Sequence, residues 1–406
     1  MRKLIRRKFR TLFNLVYNKP IGTIYMLHRV HPFEKGKLSL NENMKVSPEF
    51  LERFILERLD KYEFLSLDQA IAVIEKKIKL TKPFIVFTFD DGYADNYTYA
   101  YPIFKKYNIP FIIYIATGLI DRFTSLWWYQ LEDIIMYNNA VSLSNGIYYS
   151  CDSISEKETT FLEIRRIIQE LPSVDFEIQL RELLSGYSLN FEKYTDKLML
   201  TWHQILELSK SPICTIGAHT VTHSRLSNLS ITDLNKEITE SKSILEDKIK
   251  LKVDHFAYPF GTSFEINDQV VHAVEKSDFI SATNTYYGVI RKMDKELFRL
   301  KRIMLTETKM KILSVSTSDA SGGAARAAWR IHQAVKALGT DSRMLVKNKM
   351  TTDSSILPLS DFTPANSAYR IYDWVRNKIK NKIQHYRWNR YPNREDVFMS
   401  DLRSVP

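Results

Sequence analysis

Two carboxylates stand side by side in Phe87-Thr88-Phe89-Asp90-Asp91-Gly92, directly after an apolar run that begins at Phe84. Adjacent side chains at a strand end diverge, so one can bind a metal ion while its neighbour faces a water held there. Gly92 permits the sharp turn that follows. A second element, Gly217-Ala218-His219-Thr220-Val221-Thr222-His223, places two imidazoles three residues apart after another apolar stretch. That spacing can aim two ring nitrogens at one ion, and His with carboxylate is a normal catalytic zinc set with room left for water. The third, Phe256-Ala257-Tyr258-Pro259-Phe260-Gly261, reads as a fixed loop at a strand end. Singly, each is explained by a turn or by an ordinary polar histidine contact. Together they point to a metal site.

The elements that must position these residues follow from hydrophobic patterning. Apolar runs alternate with amphipathic stretches from about residue 21 to 305, which predicts an α/β domain with a largely parallel sheet. Strands are expected at Thr23 to Leu27, Phe84 to Phe89, Phe111 to Ile115, Ile213 to Ile216, His255 to Tyr258, Phe279 to Ala282 and Phe298 to Met304. Helices are expected at Ser47 to Leu59, capped by Ser47 with Pro48 in the first turn, and at Asp233 to Lys248. All three chemical elements then fall at C-terminal ends of strands, the face that carries the active site in parallel α/β barrels.

Residues from about 122 to 200 break the rhythm and read as a helical insertion, whose Trp127, Trp128 and Tyr129 could stack on sugar rings or simply pack. A second break falls near Lys309. Met310 to Val315 reads as a strand, Ser321-Gly322-Gly323 as a turn, Ala324 to Leu338 as a helix ended by Gly339, and Arg343 to Val346 as a strand: a fresh βαβ beginning. After about residue 350 the pattern fades into a basic tail.

The chain has 406 residues, 44% hydrophobic and 26% charged, more than one core usually organises. No run of eighteen apolar residues predicts a spanning helix, and the start is too short in apolar core for a signal peptide, so the cytoplasm is the expected compartment. Cys151 and Cys214 are too few and too far apart for a disulfide framework. The formal charge of +11 is concentrated at Arg2 to Arg10, interleaved with apolar residues over positions 1 to 20, and around Arg376 to Arg390. The first cluster has the pattern of a helix lying on an anionic membrane surface, or of a solvated basic end. The second, with its interleaved aromatics, lacks a recognisable nucleic-acid motif, so no nucleic acid is expected as partner.

Thr88 to Gly92 and His219 to His223 carry intact the TFDDG and H-[ST]-x-x-H motifs of the NodB-type polysaccharide deacetylases of carbohydrate esterase family four, which the chain resembles over about residues 20 to 305. The resemblance implies an irregular (β/α)7 barrel, here spanning about 21 to 305. It implies Asp90 as general base, and Asp91, His219 and His223 as ligands of a divalent metal, commonly Zn2+. The implied reaction is hydrolysis of an acetyl group, N- or O-linked, from an acetylated sugar, carrier-linked or polymeric. With the basic start this suits surface-polysaccharide assembly at the inner membrane face.

Two positions depart from the family pattern. Its third motif usually carries an Arg that orients the catalytic Asp, where this chain has Ala257. Its last motif usually supplies a His as general acid, where Phe298-Arg299-Leu300-Lys301-Arg302 presents Arg302. Arginine cannot donate a catalytic proton at neutral pH, but it could stabilise an oxyanion or hold Asp90. His28, closing the first strand, is the expected replacement acid, unless it is an ordinary core or surface histidine. These losses leave open a NodB-like sugar-binding module without activity. Residues 310 to 406 resemble the N-terminal opening of a two-Rossmann-domain, family-four glycosyltransferase, and are expected to be a truncated, partial Rossmann-like segment.

Overall fold

The structure is a computed structural model and describes residues 18–171, 175–190, 192–307, 311–337 and 341–359. The basic cluster at Arg2 to Arg10, the helix end at Gly339 and the basic tail around Arg376 to Arg390 lie outside the described residues. The chain divides into two compact units, Met1–Glu307 and Thr308–Pro406.

Seven strands form the centre of the first unit: β1 (Pro20–Leu27), β2 (Phe84–Phe89), β3 (Phe111–Ile115), β4 (Cys214–Ala218), β5 (His255–Ala257), β6 (Ser281–Tyr287) and β7 (Leu300–Met304). Each pairs in parallel with its neighbour in chain order, and β1 closes on both β7 and β2, the latter from Gly22 opposite Phe84 to Leu27 opposite Phe89. The result is a closed (β/α)7 barrel, irregular at β6–β7, where the register shifts. Two short strands extend the barrel sheet outside the ring: Glu63–Phe64 runs parallel to β2, and Ile290–Arg291 antiparallel to β1.

Strands buried on both faces must be apolar at nearly every position, and β2 and β3 are buried throughout. Alternate side chains then divide between two cores. Ile85, Phe87, Phe89, Ile113, Ile115 and Ile216 pack outward with the surrounding helices. Ile24, Val86, Ile112, Tyr114, Ala257 and Leu300 form a separate inner cluster with Leu67, Ala70, Ile71 and Ile74 of one short helix. That helix covers the N-terminal end of the barrel, where its Asp68 lies 3.2 Å from Nε2 of the buried His255 at the start of β5. Gly217 faces inward because nothing larger fits: a Cβ there would meet the Tyr114 ring at 2.5 Å.

Helix α1 (Pro48–Leu56) is capped by Ser47, whose side chain accepts from Phe50 N, and it ends three residues before the sequence pattern does, in a run of turns. The insertion consists of α2 (Trp127–Tyr137), an antiparallel hairpin (Ala140–Ser142 with Tyr148–Ser150), α3 (Ile154–Gln169) and two shorter helices, Phe176–Leu183 and Glu192–Leu198. A capping box of Ser153 and Glu156 starts α3. The hairpin joins no barrel strand, and the insertion has its own apolar core, built on Trp127, Leu131, Ile135, Phe161, Ile164 and Ile168. Helix α4 (Ile231–Ile249) begins two residues before the expected Asp233, because Ser230 caps it by accepting from Asp233 N.

In the second unit, β8 (Lys311–Ser318), α5 (Gly323–Ala337) and β9 (Asp341–Asn348) form the βαβ beginning, with β8 and β9 parallel. The pattern does not end at residue 350. A third parallel strand, β10 (Ile356–Pro358), pairs with β9. It is too short to register as periodicity and is held by Ile356 packing with Met344 and Val346.

Candidate metal and acyl-transfer site

The inward rows of the barrel strands end at one place. Gly22, Ile24 and Met26 lead to His28; Phe84, Val86 and Thr88 lead to Asp90; Thr215 and Gly217 lead to His219; and Leu300 leads to Arg302. Because side chains alternate with a period of two, each of these polar residues continues the inward face of its strand. They line one cavity of about 390 Å3 together with Asp91, His223, Trp128, Phe260 and residues of the insertion, Arg302 alone lying just beneath its wall.

Asp91 would point outward by this rule. It does not, because its backbone takes φ 73°, a left-handed conformation that Asp tolerates better than most residues, and Gly92 follows at φ 88°. The turn brings Asp91 Oδ1 to 3.4 Å from His219 Nε2 and 3.3 Å from His223 Nε2. One ligand atom from each of the three residues lies within 4.8 Å of the other two.

The donor set suits a divalent cation. Asp91 Oδ1 is buried without a hydrogen-bond partner among the described residues. His219 places Nδ1 2.8 Å from Ala257 O, so that nitrogen donates its proton to the carbonyl and Nε2 is left as a lone pair facing the site. Burial alone would push the Asp91 carboxyl up, but the two histidines hold it well below the usual carboxylate range. Two further left-handed residues, Thr220 at φ 67° and His223 at φ 58°, bend the histidine loop, each costing about 1 kcal/mol or more. The loop is fixed by Glu237 of α4, whose carboxylate accepts from Val221 N and Thr222 N at 2.9 Å each and from Thr222 Oγ1 at 2.7 Å. Glu237 carries no motif and sequence reasoning passes over it.

Asp90 is committed not to the two histidines but to Arg302. Arg302 Nη1 and Nη2 each donate to one carboxylate oxygen at 2.7 Å; Nε donates to Asn284 O at 2.8 Å and Nη1 also to Thr88 Oγ1 at 3.0 Å. With four of five guanidinium N–H groups so committed, Arg302 holds Asp90 and has little left for an oxyanion. It comes from β7, not from the Phe256 to Gly261 motif where the family pattern has its Arg. Burial raises the Asp90 carboxyl, and Arg302 and His219 more than offset this, leaving it below its ordinary range. His28 is partly buried, with an enclosed Nδ1 that has no partner among the described residues, and burial holds its imidazole below the usual value despite Asp91 and Asp90.

The aromatic triple divides. Trp127 packs into the insertion core and Tyr129 accepts a hydrogen bond from Arg29 Nη1 at 3.1 Å, so both are structural as well as cavity-lining. Trp128 is the one left partly exposed, its ring 5.9 Å from that of His223. Cys151 and Cys214 are buried free thiols away from the cavity lining.

A closed seven-stranded parallel barrel with an Asp, His, His cluster and a clamped second Asp at its C-terminal end defines a class of barrel hydrolases. The model of the polysaccharide deacetylase family matches residues 77–280, and the chain belongs to that family. YxkH of Bacillus subtilis (strain 168), which carries a polysaccharide deacetylase designation, is 20% identical over 245 residues, 60% of this chain and 60% of its own length. The chain thus spans about three fifths of that curated relative. Among solved structures, the Streptococcus pyogenes deacetylase PplD in complex with acetate is 20% identical, with 71% of this chain and 94% of that chain covered and a TM-score of 0.46. IcaB from Ammonifex degensii is 16% identical, with 72% and 94% covered and a TM-score of 0.46.

Proposed function

We propose that the chain is a metal-dependent hydrolase that removes acetyl groups, N-linked before O-linked, from a sugar in surface-polysaccharide biosynthesis. The observation that carries this reading is the pairing of an Arg302-clamped Asp90 with an adjacent, partnerless Asp91 oxygen between two imidazoles. Asp91, His219 and His223 would hold the cation, zinc by its nitrogen-rich donor set. When bound, such a cation polarises the acyl carbonyl and makes water a nucleophile near neutral pH.

The protein's own groups do the rest. Asp90, ionised and fixed in orientation by Arg302, takes the proton of the attacking water. His28 faces the same cavity and delivers a proton to the leaving nitrogen. Burial disfavours the charged form of its imidazole. Trp128 and Phe260 flank His223 and offer flat apolar faces to a sugar ring.

The setting we propose is the cytoplasmic face of the inner membrane, on an acetylated sugar joined to a carrier or polymer. Among the described residues no helix is long and apolar enough to cross a membrane. For the second unit, the Ser321-Gly322-Gly323 turn opening α5 supports a likeness in architecture to family-four glycosyltransferases, and we assign it no transfer reaction. The deciding experiment is acetate release from carrier-linked and polymeric acetylated sugars, with and without added divalent metals. Full activity after exhaustive metal removal would sink the reading.

A further inference from the structure

Two of the carboxylates lining the cavity are balanced by arginines, and one arginine that lines it is not balanced by a carboxylate. Asp90 is neutralised by Arg302. Glu265 is neutralised by Arg225, Nη2 to Oε1 at 3.0 Å, and its other oxygen accepts from Thr262 N at 3.1 Å. Asp91 is the carboxylate that a cation would claim. Arg165, on α3 of the insertion, lines the same cavity, is partly buried, and has no hydrogen-bond or ion-pair partner among the described residues. Burial is the one influence on its guanidinium and lowers its pKa from the usual value, with no carboxylate pulling the other way.

An unpaired cation withdrawn from water costs free energy unless a ligand supplies the counter-charge. The next residue, Arg166, is exposed, so the helix does not lack room for a solvated arginine; Arg165 shares its helix with the core residues Phe161, Ile164 and Ile168 and, like Phe161, lines the cleft. Gln169, one turn further on, also lines the cavity and adds an uncharged donor.

We propose that the substrate is an anionic acetylated sugar, with a carboxylate or phosphate group bound by Arg165 while the acetyl group lies at Asp90 and Asp91. This rests on the deacetylase reading and adds its substrate class. A planar guanidinium binds either anion through paired N–H donors, and the two sources, a uronate within the glycan or a phosphate at its carrier end, share that chemistry.

Three probes carrying the same N-acetylglucosamine separate the cases: its neutral oligosaccharide, its uridine diphosphate ester, and its disaccharide with glucuronate. The expected result with metal-loaded full-length protein is a kcat/KM at least about tenfold higher for an anionic probe than for the neutral one. Arg165→Gln collapses that ratio, Arg165→Lys keeps part of it, and Arg166→Gln leaves it unchanged. Preference for the diphosphate assigns a phosphate, and preference for the disaccharide a carboxylate. A neutral probe that does as well, or a ratio that survives Arg165→Gln, overturns the proposal. If no probe releases acetate, the deacetylase reading fails by itself, and calorimetry with inorganic pyrophosphate and with glucuronate decides the rest. Binding that Arg165→Gln abolishes upholds the anion site; no binding, or binding indifferent to the substitution, overturns it.

Discussion

Arg302 grips both carboxylate oxygens of Asp90 from the last barrel strand, at 2.7 Å each, with both groups buried. A side chain that the family pattern would read as a lost acid is thereby the partner of Asp90, the proposed base. Because the pair is bidentate, lysine cannot replace it. Arg302→Lys and Arg302→Gln should each lower kcat by about a hundredfold or more while bound metal stays stoichiometric, since an ionised base left unclamped loses both orientation and charge partner. Breaking a buried pair on one side also costs about 3–5 kcal/mol, visible as a drop in the denaturation midpoint. Unchanged kcat in a folded Arg302→Gln protein would remove Arg302 from the mechanism.

Metal binding and base catalysis should separate cleanly. Asp91→Asn, His219→Gln and His223→Gln are expected to lose zinc by elemental analysis, together with acetate release. Asp90→Asn is expected to keep the metal and lose turnover, because Asp90 is committed to Arg302 rather than to the imidazoles. A metal-free Asp90→Asn protein would show that the two aspartates have been assigned wrongly.

The histidine loop depends on a residue that holds it from behind. Glu237→Ala removes the acceptor of two backbone amides in a segment with two left-handed non-glycine residues. Metal affinity should fall by about 10–100-fold, as it does when a group orienting a metal ligand is lost. Competition with a chromogenic chelator measures this directly, and a change below twofold would count against the role.

The insertion is anchored through Asp133, whose carboxylate meets Lys37 at 3.4 Å, Lys193 at 3.1 Å and the Tyr194 hydroxyl. Burial pushes Asp133 up, but Tyr194 and the lysines hold it below its ordinary value. A depressed carboxylate contributes stability that is complete above the unfolded pKa and lost as pH falls through the folded one. The midpoint difference between the parent and Asp133→Asn, roughly 1–3 kcal/mol at pH 7, should therefore shrink towards zero as pH drops below about 4. A difference independent of pH would mean that packing, not charge, is what the substitution disturbs.

Most of the barrel strands are legible in the chain because they are short, largely apolar runs ended by a polar residue or turn; the exception is the strand expected at Phe279 to Ala282, which runs Ser281–Tyr287, because Phe279 packs in the outer core ahead of it and the strand itself, Ser-Ala-Thr-Asn-Thr-Tyr-Tyr, is mostly polar. The candidate cation site is legible for the same reason as its motifs: Asp90-Asp91 and His219 to His223 are local in sequence. The Arg302 clamp lies 212 residues from Asp90 in the chain: the sequence offers Arg302 either for an oxyanion or for Asp90, and the closed barrel decides for Asp90. Glu237 and Arg165 lie on helices whose patterning gives no hint of what they face. The strand at Ile356–Pro358 is three residues long, below the length at which alternation can be read.

The alternation of inward and outward rows also sets which changes in length the chain can absorb. Removing one residue from β2 would carry every side chain beyond the gap to the opposite face. Asp91 would then stand at the end of the inward row of β2, in the place from which Asp90 now meets Arg302, and Asp90 would be turned towards the outer core. Loss or gain of two residues keeps the faces and changes only the depth of the cleft. Variation in length should thus enter this barrel in even steps within strands and without restriction in loops, which is where the insertion of residues 122 to 200 resides.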